Sequence, residues 1–175
     1  TCRETYAAIR GLDAFDKVCE GIGAVAAAGV PVGLRVTLQR RNYRELPRFV
    51  TLARELGASQ VSFLPVDVSN PHAFARSERV SYEPALRGDD VPLLDELLEA
   101  LEAEHAEDFR SGFIAESPAK LRRIREYFAA LRGRCEFPPV RCNAPEFSAV
   151  VDVDGRSAPC FFIPAPRLAP RAPQL

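Results

Sequence analysis

The sequence predicts an α/β fold, with a helix–strand–helix–strand run of the kind found in parallel sheets and βα-barrels. Further helices and a small cysteine-bearing β-hairpin module follow it. Three observations carry this. Apolar residues switch twice between a helical and a strand period within the first 66 residues. Glycines stand at the ends of both helical stripes. Composition then shifts near residue 133: helical periodicity stops, and eight of the 15 prolines (138, 139, 145, 159, 164, 166, 170 and 173) lie beyond it.

The elements follow in order. Between residues 13 and 28, Phe15, Val18, Cys19, Ile22 and Val25 form one face of an amphipathic helix, with Asp13 as its expected N-cap and Gly29 as its stop. In residues 32–39, Val32, Leu34, Val36 and Leu38 alternate with Gly33, Arg35, Thr37 and Gln39, the period of a strand. In a βα-barrel the apolar set packs outward against helices, and Arg35 and Thr37 turn toward an interior active site. The same alternation also suits an edge strand with one face in water.

Asn42 and Glu45 have the spacing of a capping box. Leu46, Phe49, Val50, Ala53 and Leu56 then form a second helical stripe ended by Gly57. Residues 60–66, QVSFLPV, read as a strand parallel and adjacent to the first, since one βαβ unit joins them.

Residues 67–89 have no period and read as a long loop. His72 within it could do acid–base work or be a solvated loop residue. Asp90 and Pro92 open a helix with Leu94, Leu97, Leu98 and Leu101 on one face. Its acidic side, Asp95 to Glu107, reads as a solvated face, with His105 at the surface. Ser117 and Pro118 start a further helix through Leu121, Ile124, Tyr127, Phe128 and Leu131, closed by Gly133. Phe147–Val153 and Ser157–Phe162 read as strands joined at Asp154-Gly155, a strong hairpin signal. The Pro-rich residues 164–175 are expected to be disordered. The resulting division is 1–133, 134–163 and 164–175.

Composition excludes several classes of function. Basic and acidic residues balance, 23 against 24, so a polyanion-binding protein working by net attraction is excluded and no nucleic-acid partner is expected. No apolar run reaches the ~18 residues of a membrane span, so no membrane partner is expected either. Five cysteines, an odd number, argue for free thiols or metal ligands over a disulfide framework, and a cytoplasmic location follows. A chain of this size with no methionine, opening at TCRETYAAIRG, reads as a piece of a longer one.

Cys19 lies on an apolar helical stripe and reads as a structural thiol. Cys135, Cys142 and Cys160 all fall in the non-helical module, and thiolates are ligands for zinc and iron–sulfur clusters. No C-x-x-C knuckle is present, so the wide spacing suits an iron–sulfur cluster better than a zinc ribbon. A trio of unrelated buried thiols is the remaining alternative.

The stretch RCNAPEFSAVVDVDGRSAPC, residues 141–160, is C-x12-G-x4-C. It resembles the opening of the SPASM or twitch extension of radical S-adenosylmethionine enzymes. The upstream half is similar to the later half of their barrel, with IRG-x3-F at Ile9 to Phe15, AAAGVPV, Asn42 before a helix, LARELGA and VSFLPV. The resemblance implies part of a radical SAM (β/α)6 partial TIM barrel followed by an auxiliary-cluster module. In such enzymes a CxxxCxxC-bound [4Fe–4S] cluster cleaves S-adenosylmethionine, and the resulting radical takes hydrogen from a substrate.

By that resemblance Cys142 and Cys160, with Cys135 as a less secure third, would hold an auxiliary [4Fe–4S] cluster. Arg35, Thr37, Leu64 and Val66 would line the cavity for S-adenosylmethionine or substrate. Partners would be a peptide or small-molecule substrate and an electron donor. The chain has no CxxxCxxC and no later SPASM cysteines, so alone it is expected to be inactive. The alternatives are a non-catalytic metal-binding or peptide-binding module and a barrel piece with inert thiols.

Overall fold

A computed structural model describes residues 2–68, 81–139, 144–151, 153 and 155–160. They belong to two units, one of residues 1–66 and 83–138, the other of 67–82 and 139–175.

The first unit opens with a helix that apolar periodicity does not announce, α1 (Arg3–Arg10). Cys2 caps it, its Sγ accepting the Thr5 N–H at 3.5 Å, and Gly11 at φ 71° closes it with its N–H on the Ala7 carbonyl. α2 (Phe15–Ala27) follows. Asp13 was the expected cap of α2, but the N-cap is Ala14, and the Asp13 carboxylate lies 3.6 Å from Arg3 Nε instead.

β1 (Gly33–Leu38) and β2 (Gln60–Pro65) pair in parallel, from Gly33 opposite Gln60 to Leu38 opposite Pro65. The crossover between them is α3 (Leu46–Glu55), with Pro47 in its first turn, where a missing N–H costs nothing. The capping box is not formed. Asn42 is buried, its carboxamide oxygen accepting the Gln39 N–H at 2.9 Å and its nitrogen donating to the Thr37 carbonyl at 3.0 Å. Glu45 takes the Thr5 hydroxyl at 2.7 Å. With both side chains engaged elsewhere, a 3-10 turn over Tyr43–Glu45 leads into α3.

The far edge of β2 is covered by residues 113–116. Val61 donates to the Phe113 carbonyl at 2.8 Å, and Ala115 donates to the Val61 carbonyl at 2.9 Å. The Glu116 carboxylate then accepts the Phe63 N–H at 2.9 Å. Among the described residues, β1 has no neighbour on its other edge, so the expected partial barrel is represented by one βαβ unit.

α4 (Asp90–Glu104), α5 (Ala106–Ser111) and α6 (Pro118–Ala130) complete the unit. The Ser117 hydroxyl accepts the Lys120 N–H at 3.3 Å, the cap its sequence predicts. The core lies where α3, α4 and α6 meet β2. Leu46, Val50, Val61, Phe63, Leu94, Leu101, Leu121 and Phe128 are all within 3% of complete burial there.

In the second unit α7 (Ala144–Phe147) precedes β3 (Val150–Val151), which pairs antiparallel with β4 (Ser157–Ala158). Gly155, at φ 78°, takes the left-handed conformation that the hairpin reading asked of it. The strands are shorter than expected. Phe147 belongs to α7 and is exposed, because cross-strand partners are found only from Val150 onward. Asp154 and the expected tail lie outside the described residues.

Candidate functional site

A cleft of about 410 Å³ opens along the free edge of β1. Alternation along the strand accounts for its position. Leu38 is fully buried and Leu34 and Val36 are half-buried, whereas Arg35 and Thr37 are exposed. The cleft takes Val36 from one face and Arg35 and Thr37 from the other, as an opening along a strand edge must. Tyr6, Ile9 and Arg10 of α1, Phe15 and Val18 of α2, and Phe49 of α3 supply its other walls. The Tyr6 and Phe15 rings stand 5.9 Å apart at 58°, a tilted pair.

The polar groups of the cleft differ in their freedom. The Asn42 carboxamide is committed to Gln39 and Thr37, and the Thr5 hydroxyl to Glu45. Arg10 and Arg35 meet no carboxylate or other hydrogen-bond partner among the described residues. This sets them apart from Arg40 and Arg41 on Glu83, Arg44 on Asp90 and Arg54 on Asp108. Among the described residues no Asp or Glu lines the cleft.

Of the residues singled out from the sequence, the structure brings Arg35 and Thr37 into this cleft. Leu64, on β2, and Val66, whose N–H donates to the Leu38 carbonyl at 2.9 Å, are half-buried and do not line it. Cys135 follows α6, is exposed, and its thiol donates to the Glu126 carbonyl at 3.6 Å. Cys160 is half-buried beyond β4. Cys142, and with it the expected approach to Cys160, lies outside the described residues, as does His72. Among the described residues no three His, Cys, Asp or Glu side chains gather as metal ligands. Cys19 sits half-buried in α2, where burial pushes its thiol above its ordinary pKa.

Sequence reasoning missed Arg10 and the Tyr6–Phe15 pair. The available signal was Arg10-Gly11, a cation beside a helix-ending glycine, with Phe15 soon after. It also placed His105 at the surface. His105 is only 21% exposed, its Nδ1 lying 2.8 Å from the buried Asp108 carboxylate, which also pairs with Arg54.

Proteins named probable GTP 3′,8-cyclase from Saccharolobus islandicus strains L.S.2.15 and M.14.25 are 41% identical to the chain over 63 residues. That of Saccharolobus solfataricus is 40% identical over the same length. Each match covers 35% of this chain and 20% of the relative, so the chain spans about a fifth of the length of the curated relatives it matches. No family model matches the chain. No solved structure matches it either.

Proposed function

We propose that the chain is a portion of a radical S-adenosylmethionine enzyme, and that the β1 cleft is part of the cavity for S-adenosylmethionine or substrate. The observation that carries this reading is the cleft itself, which gathers Arg35 and Thr37 on a strand of a parallel βαβ unit. Support comes from the likeness to probable GTP 3′,8-cyclases, which are radical S-adenosylmethionine enzymes acting on a small molecule.

In this reading Arg35 supplies a fixed positive charge and Thr37 a hydroxyl at the cleft. Leu64 and Val66, near the C-terminal end of β2, offer apolar and backbone contact to an adenine. Bound S-adenosylmethionine and a [4Fe–4S] cluster would supply a radical able to take hydrogen from the substrate, and the five cysteines of this chain lack the CxxxCxxC spacing that would hold that cluster. Cys142 and Cys160 are assigned to an auxiliary cluster on the spacing C-x12-G-x4-C around the left-handed Gly155.

The chain is to be reconstituted anaerobically with iron and sulfide, and its binding of S-adenosylmethionine measured by calorimetry. Arg35→Ala and Thr37→Val should weaken that binding; affinity unchanged in both would remove the cleft from the cavity. Cys142→Ala and Cys160→Ala should lower the iron per chain. If neither does, the auxiliary-cluster assignment is wrong.

A further inference from the structure

We propose that α1 is a flap over the β1 cleft, carried on α2 and latched to the turn before α3 by the hydrogen bond from Thr5 to Glu45. This deepens the reading above, since it concerns the regulation of the site assigned there, and it rests on that reading for what the cleft holds.

The two edges of α1 are held differently. Toward α2, Gly11 joins the helices in the left-handed conformation, with open space around it. The other links on that side are the tilted Tyr6–Phe15 ring pair and the ion pairs of Arg3 with Asp13 and Asp16, whose side chains are all more than half exposed. Exposed pairs of this kind hold a helix in place only weakly. Toward the turn, the Thr5 hydroxyl donates to the Glu45 carboxylate at 2.7 Å across 40 positions of sequence. Both residues are half-buried, and a hydrogen bond to a carboxylate under partial cover is stronger than an exposed ion pair.

The body end of the latch is fixed. Tyr43 and Leu46, on either side of Glu45, are fully buried, and Asn42 anchors the same turn through the Thr37 carbonyl and the Gln39 N–H. On the flap, Cys2 sets the direction of the bond. Its thiol donates to the Thr5 hydroxyl oxygen at 3.2 Å, which leaves the Thr5 proton for Glu45. Thr5, Tyr6, Ile9 and Arg10 share one face of α1 and line the cleft together with Val36 of β1 and Phe49 of α3. No residue of α1 is buried in the core. Breaking the latch therefore lifts one wall of the cleft and leaves the other, built on β1 and α3, in place.

The chain has no tryptophan, so Phe49→Trp places a single one on the wall that the flap covers. Gln39→Trp, at the end of β1, gives a second and independent reporter. In either background Thr5→Val and Glu45→Ala should shift the open-to-closed ratio about tenfold, the effect of losing one hydrogen bond to a charged group. Acrylamide quenching of the tryptophan should rise with it. Thr5→Ser and Glu45→Gln keep a donor and an acceptor, and should be quenched much as the parent is. Urea midpoints should stay with the parent's, because neither residue lies in the core. The inference is overturned by quenching that is unchanged in Thr5→Val and Glu45→Ala, that rises as far in Thr5→Ser and Glu45→Gln, or that rises only in step with a fallen midpoint. Neither iron nor S-adenosylmethionine enters these measurements. A flap that answers to its latch in a chain binding no S-adenosylmethionine keeps this inference and removes the reading above; binding of S-adenosylmethionine with a latch of no effect does the reverse.

Discussion

The hydroxyl of Tyr43 donates to the Asp90 carboxylate at 2.7 Å, tying the turn before α3 to the first residue of α4 across 47 positions of sequence. Tyr43 is fully buried, and Arg44 lies over its ring at 4.5 Å while also reaching Asp90 at 3.1 Å. Burial pushes the Asp90 carboxyl up. The Tyr43 hydroxyl, the Arg87 N–H and the Arg44 charge together outweigh that and hold it below its ordinary pKa. A carboxyl depressed on folding adds stability above its unfolded pKa of about 3.9, and this is lost as pH falls through its folded value. Urea midpoints should therefore drop on acidification below about pH 4, and Asp90→Asn should flatten that arm.

The Tyr43 phenol shifts the other way, raised first by burial and then by the Asp90 carboxylate. Its contribution holds below the unfolded pKa of about 10 and declines as pH rises beyond it. Tyr43→Phe should cost about 1 kcal/mol near neutrality and remove the alkaline decline, read from unfolding curves between pH 8 and 11.

Glu116 completes the edge of β2 with a side chain in place of a backbone carbonyl. Glu116→Ala leaves the buried Phe63 N–H without an acceptor and should destabilise by about 1–3 kcal/mol. Glu116→Gln keeps an acceptor oxygen and should recover most of that loss. Equal losses in the two variants would mean that the hydrogen bond is not what Glu116 contributes.

Asp108 is buried between His105 and Arg54, and Arg54 in turn covers the Phe113 ring at 4.3 Å. Asp108→Ala should cost about 2–3 kcal/mol, since it strands the half-buried His105 just before α5 and removes the anchor of Arg54. Arg54→Ala should cost less, because its guanidinium is largely in water. Thermal unfolding of the two variants decides the order.

Gly57 closes α3 at φ 70°, and a Cβ built there would stand 3.3 Å from the Ala26 side chain of α2. Gly57→Ala therefore meets both a left-handed backbone and a near clash. A loss of about 1–2 kcal/mol in denaturant unfolding is expected.

Where one periodicity persisted over several residues, the sequence was a sufficient guide. The alternation in β1 and β2, the stripe of α3 and the Ser117 cap all appear in their expected places, with the strands parallel. The readings that failed were those decided by competition among side chains. Asp13 prefers Arg3 to a helix end, Asn42 and Glu45 are drawn to Thr37, Gln39 and Thr5, and His105 is turned inward by the buried Asp108. The cleft was half legible. Arg35 and Thr37 follow from alternation, but Arg10, Tyr6 and Phe15 reach the same space only through the packing of α1 on α2, which leaves no period in the sequence.

Neither α1 nor α2 contains a fully buried residue, whereas α6 contains five. In hydrogen-exchange terms the amides of α1 and α2 should open by local fluctuation, well before those of β2 and α6 report global unfolding. The cleft thus has one fixed wall, the β1–α3 side, and one wall that can loosen on its own. A ligand seated on Arg10, Tyr6 and Phe15 would have to spend part of its binding energy quieting that second wall. Its arrival should then show as slowed deuterium uptake in residues 3–27, with the exchange of the core unchanged.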